Sequence, residues 1–173
     1  MNYKLTYKTP DGFSDMIMSS DGTYLTGLCF EKSGDVCKLP LDGKKMLLSV
    51  FVRTCRWLDL YFDGKIPDFT PEWKIEDLTP FRRQVTDIMT RIPYGETVTY
   101  GEIAYRIARE NGLEKMSAQA VGGAVGWNPI CIIIPCHRVV GGGGKLVGYG
   151  GGLENKAKLL ELEKKNMTSM IIH

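Results

Sequence analysis

Apolar positions in this chain change their spacing near residue 78. Residues 1–62 read mainly as short strands separated by turns. Thr23-Tyr24-Leu25-Thr26-Gly27-Leu28-Cys29-Phe30 has strand character and follows the turn signal Ser20-Asp21-Gly22. From Pro40 to Phe62 the apolar residues Leu47, Val50, Phe51, Leu58, Tyr61 and Phe62 fall near helical spacing, which predicts a helix there. Asp63 to Pro71 is a proline-rich connector. A boundary after it divides the chain into an N-terminal unit, 1–77, and a C-terminal unit, 78–173.

The second unit carries stronger punctuation. Thr79 is placed to cap a helix with Pro80 in its first turn, and Phe81, Val85, Ile88, Met89 and Ile92 mark its inward face until Pro93-Tyr94-Gly95. Thr99-Tyr100-Gly101-Glu102 is a capping box that opens a second helix, with Ile103, Ala104, Ile107 and Ala108 inward and Asn111-Gly112 at its end. A short helix from Ala118 to Val125 follows Ser117. The pair has the outline of a helix-turn-helix or winged-helix unit. The apolar run Ile130 to Ile134 predicts a strand delivering Cys136. Gly141 to Gly144 and Gly148 to Gly152 predict a hairpin around Lys145-Leu146-Val147, and a last helix carries Leu153, Ala157, Leu160 and Glu163.

Composition narrows the class. With 43% hydrophobic and 24% charged residues the chain is an ordinary globular sequence, and its start lacks the apolar core of a signal peptide. No apolar stretch is long enough to span a membrane. The five cysteines match no zinc or redox spacing and fit a reducing cytoplasm. Residues 1–78 carry 10 Lys+Arg against 12 Asp+Glu, whereas residues 79–173 carry 12 against 8. A basic second half suits a polyanionic partner, although so small an excess is also compatible with chance.

A cysteine on an apolar strand is more often a small buried hydrophobe than a nucleophile. Cys136 differs because the apolar run breaks at His137-Arg138 and a glycine cluster follows, which lets a substrate lie close to main chain. Only His137 and His173 are histidines, so His137 is the natural proton acceptor near neutral pH. A free thiol of pKa about 8.5 is already a few per cent thiolate at pH 7, so full ionisation gains roughly 30-fold at most. Breaking a carbon–oxygen bond therefore depends more on alignment and on hydrogen bonds to the leaving group. The helix Ala118 to Val125 is built of small residues, including Gly122 and Gly123. Glycine costs a helix interior about 0.5–1 kcal/mol relative to alanine, so some surface, a neighbouring helix or a nucleic-acid backbone, must approach closely.

The string Asn128-Pro129 followed by Pro135-Cys136-His137-Arg138-Val139-Val140 resembles the active-site segment of the O6-alkylguanine-DNA alkyltransferases. The resemblance covers roughly Pro80 to Glu163 and reaches the N-terminal half only in outline. It implies an α+β protein: a ribonuclease-H-like α/β domain beside a mainly helical, winged-helix-like one whose short helix lies against the DNA minor groove. It implies that Cys136 takes an alkyl group from O6 of guanine, irreversibly, in a base flipped out of duplex DNA at a cost of a few kcal/mol. His137, through a water, would pass the thiol proton toward Glu163, and Asn128 would be the hinge between recognition unit and cysteine segment. Tyr100, Gln119, Val125, Val139, Tyr149 and Gly150 would meet the DNA or the flipped base, with the main chain of Cys136 and Val139 accepting from its exocyclic amine. Sulfur displacement needs no metal or diffusible cofactor, and a monomer acting on double-stranded DNA is implied.

Two positions depart from the family pattern. Gln119 stands where many members insert an arginine into the base stack, and Cys131 where relatives often have proline. Three other readings compete. A non-catalytic alkyl-base sensor would lack the cysteine. A cysteine hydrolase would place its cysteine and histidine far apart and turn over. A plain DNA-binding module would carry more base-reading side chains than Gln119 on its recognition helix. By sequence alone Tyr100 also reads as a packing residue, Asn128 as a helix end, and Glu163 as part of a solvated charged face.

Overall fold

The computed structural model describes residues 1–172; His173 lies outside it. Strands β1 (Tyr3–Tyr7), β2 (Met16–Ser20) and β3 (Leu25–Phe30) form an antiparallel meander. A short β4 (Lys44–Lys45) pairs in parallel with β1, giving the order β3-β2-β1-β4. Helix α1 (Ser49–Phe62) packs on β2 and β3 through Val50, Phe51, Thr54, Trp57, Leu58 and Tyr61, a stripe with the three-to-four-residue spacing of one helix face. The helix begins later than the apolar spacing from Pro40 predicts. Lys44 N–H donates instead to Asn2 O at 2.9 Å, completing the free edge of β1, and Leu47 is left 68% exposed.

In the second half, α2 (Pro80–Met89), α3 (Tyr100–Glu110) and α4 (Ala118–Gly126) pack on one another. Their starts follow the sequence signals. Thr79 accepts from Arg82 N–H, Thr99 and Glu102 close a reciprocal capping box, and Ser117 accepts from Ala120 N–H. A parallel pair of short strands, β5 (Val98–Thr99) and β6 (Val139–Val140), ties the start of α3 to the segment after the cysteine. Helix α5 (Leu153–Ile172) closes the molecule, with Lys156, Leu159 and Glu163 inward. One hydrophobic cluster runs through both halves, from Met16 and Phe51 to Ile107 and Val125. Among the described residues no helix is long and apolar enough to cross a membrane.

Two predicted elements do not form. The run Ile130 to Ile134 is a tight loop rather than a strand: only Ile130 bridges β3, opposite Leu28. The Asn128 amide donates to Ile130 O and Ile134 O at 3.1 and 3.0 Å while its Oδ1 accepts from Ile130 N–H. These bonds draw the ends of the run together and hold Ile132 at φ 65°, a conformation β-branched residues avoid. A side-chain amide has overridden the strand propensity of isoleucine. The hairpin around Lys145–Val147 is likewise absent. Gly142–Gly144 forms a 3-10 turn in which Gly143 and Gly144 have positive φ, and Gly141 N–H donates to Lys145 O at 2.7 Å.

The outer edge of β3 is where the two halves join. Leu25 exchanges main-chain hydrogen bonds with Glu72 and Lys74 of the connector, and Leu28 with Pro129 and Cys131, all between 2.9 and 3.0 Å. The loop that precedes the cysteine is therefore hung on a strand of the N-terminal sheet.

Candidate active site

Cys136 sits not on a strand but at the first residue of a 3-10 turn, Cys136–Arg138, entered through Pro135. The turn is buried: Cys136 is 5% exposed and His137 fully enclosed. Burial pushes the Cys136 thiol up from its ordinary value, while the Asn128 amide and the charges of Lys38 and Lys156 act the other way. The few per cent of thiolate that a free cysteine offers at pH 7 is reduced here, so the site needs a proton acceptor.

His137 is the candidate for that role. Its Nε2 lies 2.7 Å from Glu163 Oε1, and its Nδ1 is buried without a partner. Burial also drives the imidazole below its usual value, against the pull of Glu163. Glu163 would be raised by its own burial, but hydrogen bonds and charge from His137 and Arg138 overcome this and hold its carboxyl down to about 2. An ionised Glu163 can only accept. A neutral His137 must then carry its hydrogen on Nε2, which leaves Nδ1 as a buried base without a partner.

The carboxylate of Glu163 is more heavily held than the sequence indicated. Arg138 donates through Nε and Nη2 at 2.9 to 3.2 Å, Tyr61 OH donates to Oε1 at 2.8 Å, and Gly95 N–H to Oε2 at 3.0 Å. Arg138 Nη1 is spent on Ile92 O at 2.7 Å. The solvated-face reading of Glu163 is thus overturned, since the side chain has no exposed surface.

An open cleft of about 1000 Å³ lies between α3, α4 and the glycine loop, lined by Tyr100, Gln119, Gly122, Gly123, Tyr149 and Gly150 among others. Tyr100 OH donates to the carbonyls of Val147 and Gly148, at 3.1 and 3.4 Å, and so bridges helix and loop. Tyr149 OH is buried without a partner. Cys136 is not itself in the cleft wall; the segment that leaves its turn runs through β6 to Gly141 and Gly142, which are. Val139 is fully buried and its carbonyl already accepts from Lys156 Nζ at 2.6 Å. Val125, expected near the base, is 4% exposed and packs into the core on the inward side of α4. Its side chain does not reach the cleft.

Residues 80–165 match the model of the 6-O-methylguanine DNA methyltransferase DNA-binding domain. A Mycobacterium leprae protein named methylated-DNA--protein-cysteine methyltransferase is 40% identical over 161 residues, covering 90% of each chain. A protein of the same name from Methanosarcina barkeri is 45% identical over 155 residues, 88% of this chain and 92% of that one. The chain belongs to the methylated-DNA–protein-cysteine methyltransferase family. The crystal structure of Mycobacterium tuberculosis OGT in complex with DNA is similar over 95% of this chain and 94% of its own, at 37% identity and TM-score 0.77.

Within this methyltransferase family member, sequence reasoning reached Cys136, His137, Glu163 and Asn128 but missed the groups that hold them. Arg138 had a signal, as a basic residue next to the histidine. Lys156 had a fainter one: it stands three and seven residues before Leu159 and Glu163, on the same inward face of α5. Tyr61 had none, being 102 residues from the carboxylate it binds.

Proposed function

We propose that this chain repairs duplex DNA by moving a methyl or larger alkyl group from O6 of guanine to Cys136, once per molecule. The observation that carries this reading is the buried Cys136-His137-Glu163 series, in which Glu163 fixes one imidazole nitrogen while the other stays buried and unpaired, one residue along the turn from the cysteine.

The step balances as follows. The thiol proton passes through a bridging water to His137 Nδ1, and Glu163 stabilises the imidazolium through Nε2–H. Sulfur attacks the alkyl carbon as the carbon–O6 bond breaks, and its electron pair stays on O6. The restored guanine takes up the proton that the imidazole releases. A neutral thioether and a neutral histidine remain, with no group able to remove the alkyl chain. The turn Cys136–Arg138 contributes alignment, which carries more of the rate than thiolate population does.

Several features support recognition of a flipped base by this cleft. A Cβ built at Gly123 or Gly126 would meet nothing within 4 Å, and at Gly122 only the Tyr100 ring at ordinary contact distance. No neighbouring helix explains these glycines, so a partner outside the chain remains, and a minor-groove backbone fits it. Gln119 on the same exposed face would fill the gap left in the stack. Tyr100 would exchange a loop carbonyl for the guanine ring. Val139 O keeps a second lone pair for the exocyclic amine beside its bond from Lys156, and Tyr149 and Gly150 would form the wall near O6. O4-alkylthymine is a smaller variation on the same chemistry.

The finer description of the fold accompanies this reading. A meander of three strands, a parallel fourth and a helix on one face support a ribonuclease-H-like N-terminal unit through residue 77, and α2, α3 and α4 with β5 and β6 support a winged-helix-like unit from residue 78. The protein would act as a cytoplasmic monomer.

Incubation with a duplex holding one O6-methylguanine should add one methyl group to Cys136 by peptide mass, with no further turnover, and Cys136→Ser should abolish it. Repeated turnover, or an unmodified wild-type Cys136, would refute the proposal.

A further inference from the structure

The N-terminal half reaches the site at a second place, through the 3-10 turn Gly34–Lys38. Lys38 Nζ pairs with Asp35 Oδ1 and donates to the carbonyls of Gly126 and Asn128. Gly126 is the last residue of α4, and Asn128 holds the loop before the cysteine. Carbonyls at a helix C-terminus lack intrahelical partners and carry partial negative charge, so a lysine ammonium satisfies both needs. Asp35, only 5% exposed, anchors that ammonium.

The same carboxylate touches a third element. A Cβ built at Gly150 would fall 1.9 Å from Asp35 Oδ1, so the loop that walls the cleft lies against Asp35 and tolerates only glycine there. Two side chains three residues apart thus contact the recognition helix, the asparagine hinge and the pocket loop together. Lys38 is mostly buried, with its side chain 21% exposed, and its charge is balanced by Asp35. A residue serving as a phosphate contact would instead present an unpaired cation.

We propose that Lys38 and Asp35 are positioning residues that set the recognition helix and its hinge relative to Cys136, so that a base presented by the helix arrives in line with the sulfur. This rests on the alkyl-transfer reading above. Lys38 bears on the path from helix to cysteine. Reactions of Cys136 that bypass the helix do not use it.

The test compares two reactions of the full chain: methyl transfer from O6-methylguanine duplex, and labelling of Cys136 by iodoacetamide, followed by peptide mass at early times. The wild type must first methylate itself, so failure of the underlying reading would be seen before any variant is made. Misalignment on the ångström scale costs up to about 100-fold, so Lys38→Met should slow duplex transfer roughly 10- to 100-fold. Iodoacetamide labelling should fall far less than duplex transfer, because the thiolate lost when Asp35 acts on Cys136 unopposed is partly offset by the greater nucleophilicity of a more basic thiol. Lys38→Arg, which keeps donors for both carbonyls, should recover most of the duplex rate. Adding Asp35→Asn to Lys38→Met should cost little more, as expected for groups acting as one unit. If Lys38→Met does not fold, Asp35→Asn alone carries the same comparison. Duplex transfer unchanged, labelling falling in step with transfer, or a salt dependence of DNA binding reduced by about one unit, the mark of a direct phosphate contact, would each overturn the proposal.

Discussion

Tyr61 OH donates to Glu163 Oε1 at 2.8 Å, so a residue of the N-terminal helix α1 completes the set of donors around the carboxylate that holds His137. The ring is fixed independently, stacked on Trp57 at 5.4 Å between centroids and 8° between planes. Tyr61→Phe should therefore keep its packing and lose one hydrogen bond to a charged group, destabilising the fold by about 1.5–3 kcal/mol in urea unfolding. Methyl transfer should slow as the imidazole loses part of its support. A loss under about 0.5 kcal/mol would mean that Arg138 and Gly95 already satisfy the carboxylate.

Acid should destabilise this protein in two stages. His137 is held below its ordinary 6.5, so near that pH an unfolded chain gains a proton that the native one refuses. Glu163 is held to about 2 against 4.5, which repeats the situation lower down. In both windows the unfolded state binds more protons, so native stability is full above the unfolded values and falls as pH drops. Thermal midpoints measured from pH 7.5 to pH 2 should decline first through the histidine window and again below 4.5. His137→Gln should remove that upper part of the decline and leave the lower.

Gly123 offers a case in which stability and binding move in opposite directions. Its Cβ position is empty and it lies inside α4, so Gly123→Ala should stabilise the fold by about 0.5–1 kcal/mol. The added methyl stands on the exposed face proposed to meet DNA, and duplex affinity should fall. Tighter or unchanged DNA binding by this variant, in a fluorescence anisotropy titration, would remove the explanation offered for the glycines.

Gln119 lines the cleft from the exposed side of α4 and brings no charge. Gln119→Arg should bind duplex more tightly, with a salt dependence steeper by about one unit, and should transfer methyl faster. Equal affinity and equal rate would show that the glutamine already grips the stack as well as a cation does.

Glu163→Gln removes the buried charge that Arg138 and His137 share. Arg138 would remain buried opposite a neutral amide, and loss of one member of a buried pair costs about 3–5 kcal/mol. Urea unfolding should register that loss, and methyl transfer should fall with it, because one amide oxygen would have to serve the donors of His137, Arg138 and Tyr61 while the amide nitrogen, itself a donor, faces the rest.

The sequence by itself determined what local physics controls. The caps at Thr79, Thr99 and Ser117 and the inward faces of α2 and α3 rest on neighbours within a turn or two of chain, and they form where the spacing predicts. Local pattern failed where a distant or side-chain partner competed. The isoleucine run became a loop because the Asn128 amide captured its carbonyls, and the segment after Pro40 left its helical spacing to complete the edge of β1. Glu163 read as one charge among many on a solvated helix; only tertiary structure turned it inward, beneath Arg138, Tyr61 and Gly95. The physical reason is that a buried charge must be paired at once by several groups. Here those groups come from α1, the loop between α2 and β5, and the cysteine turn, which no period along the chain connects.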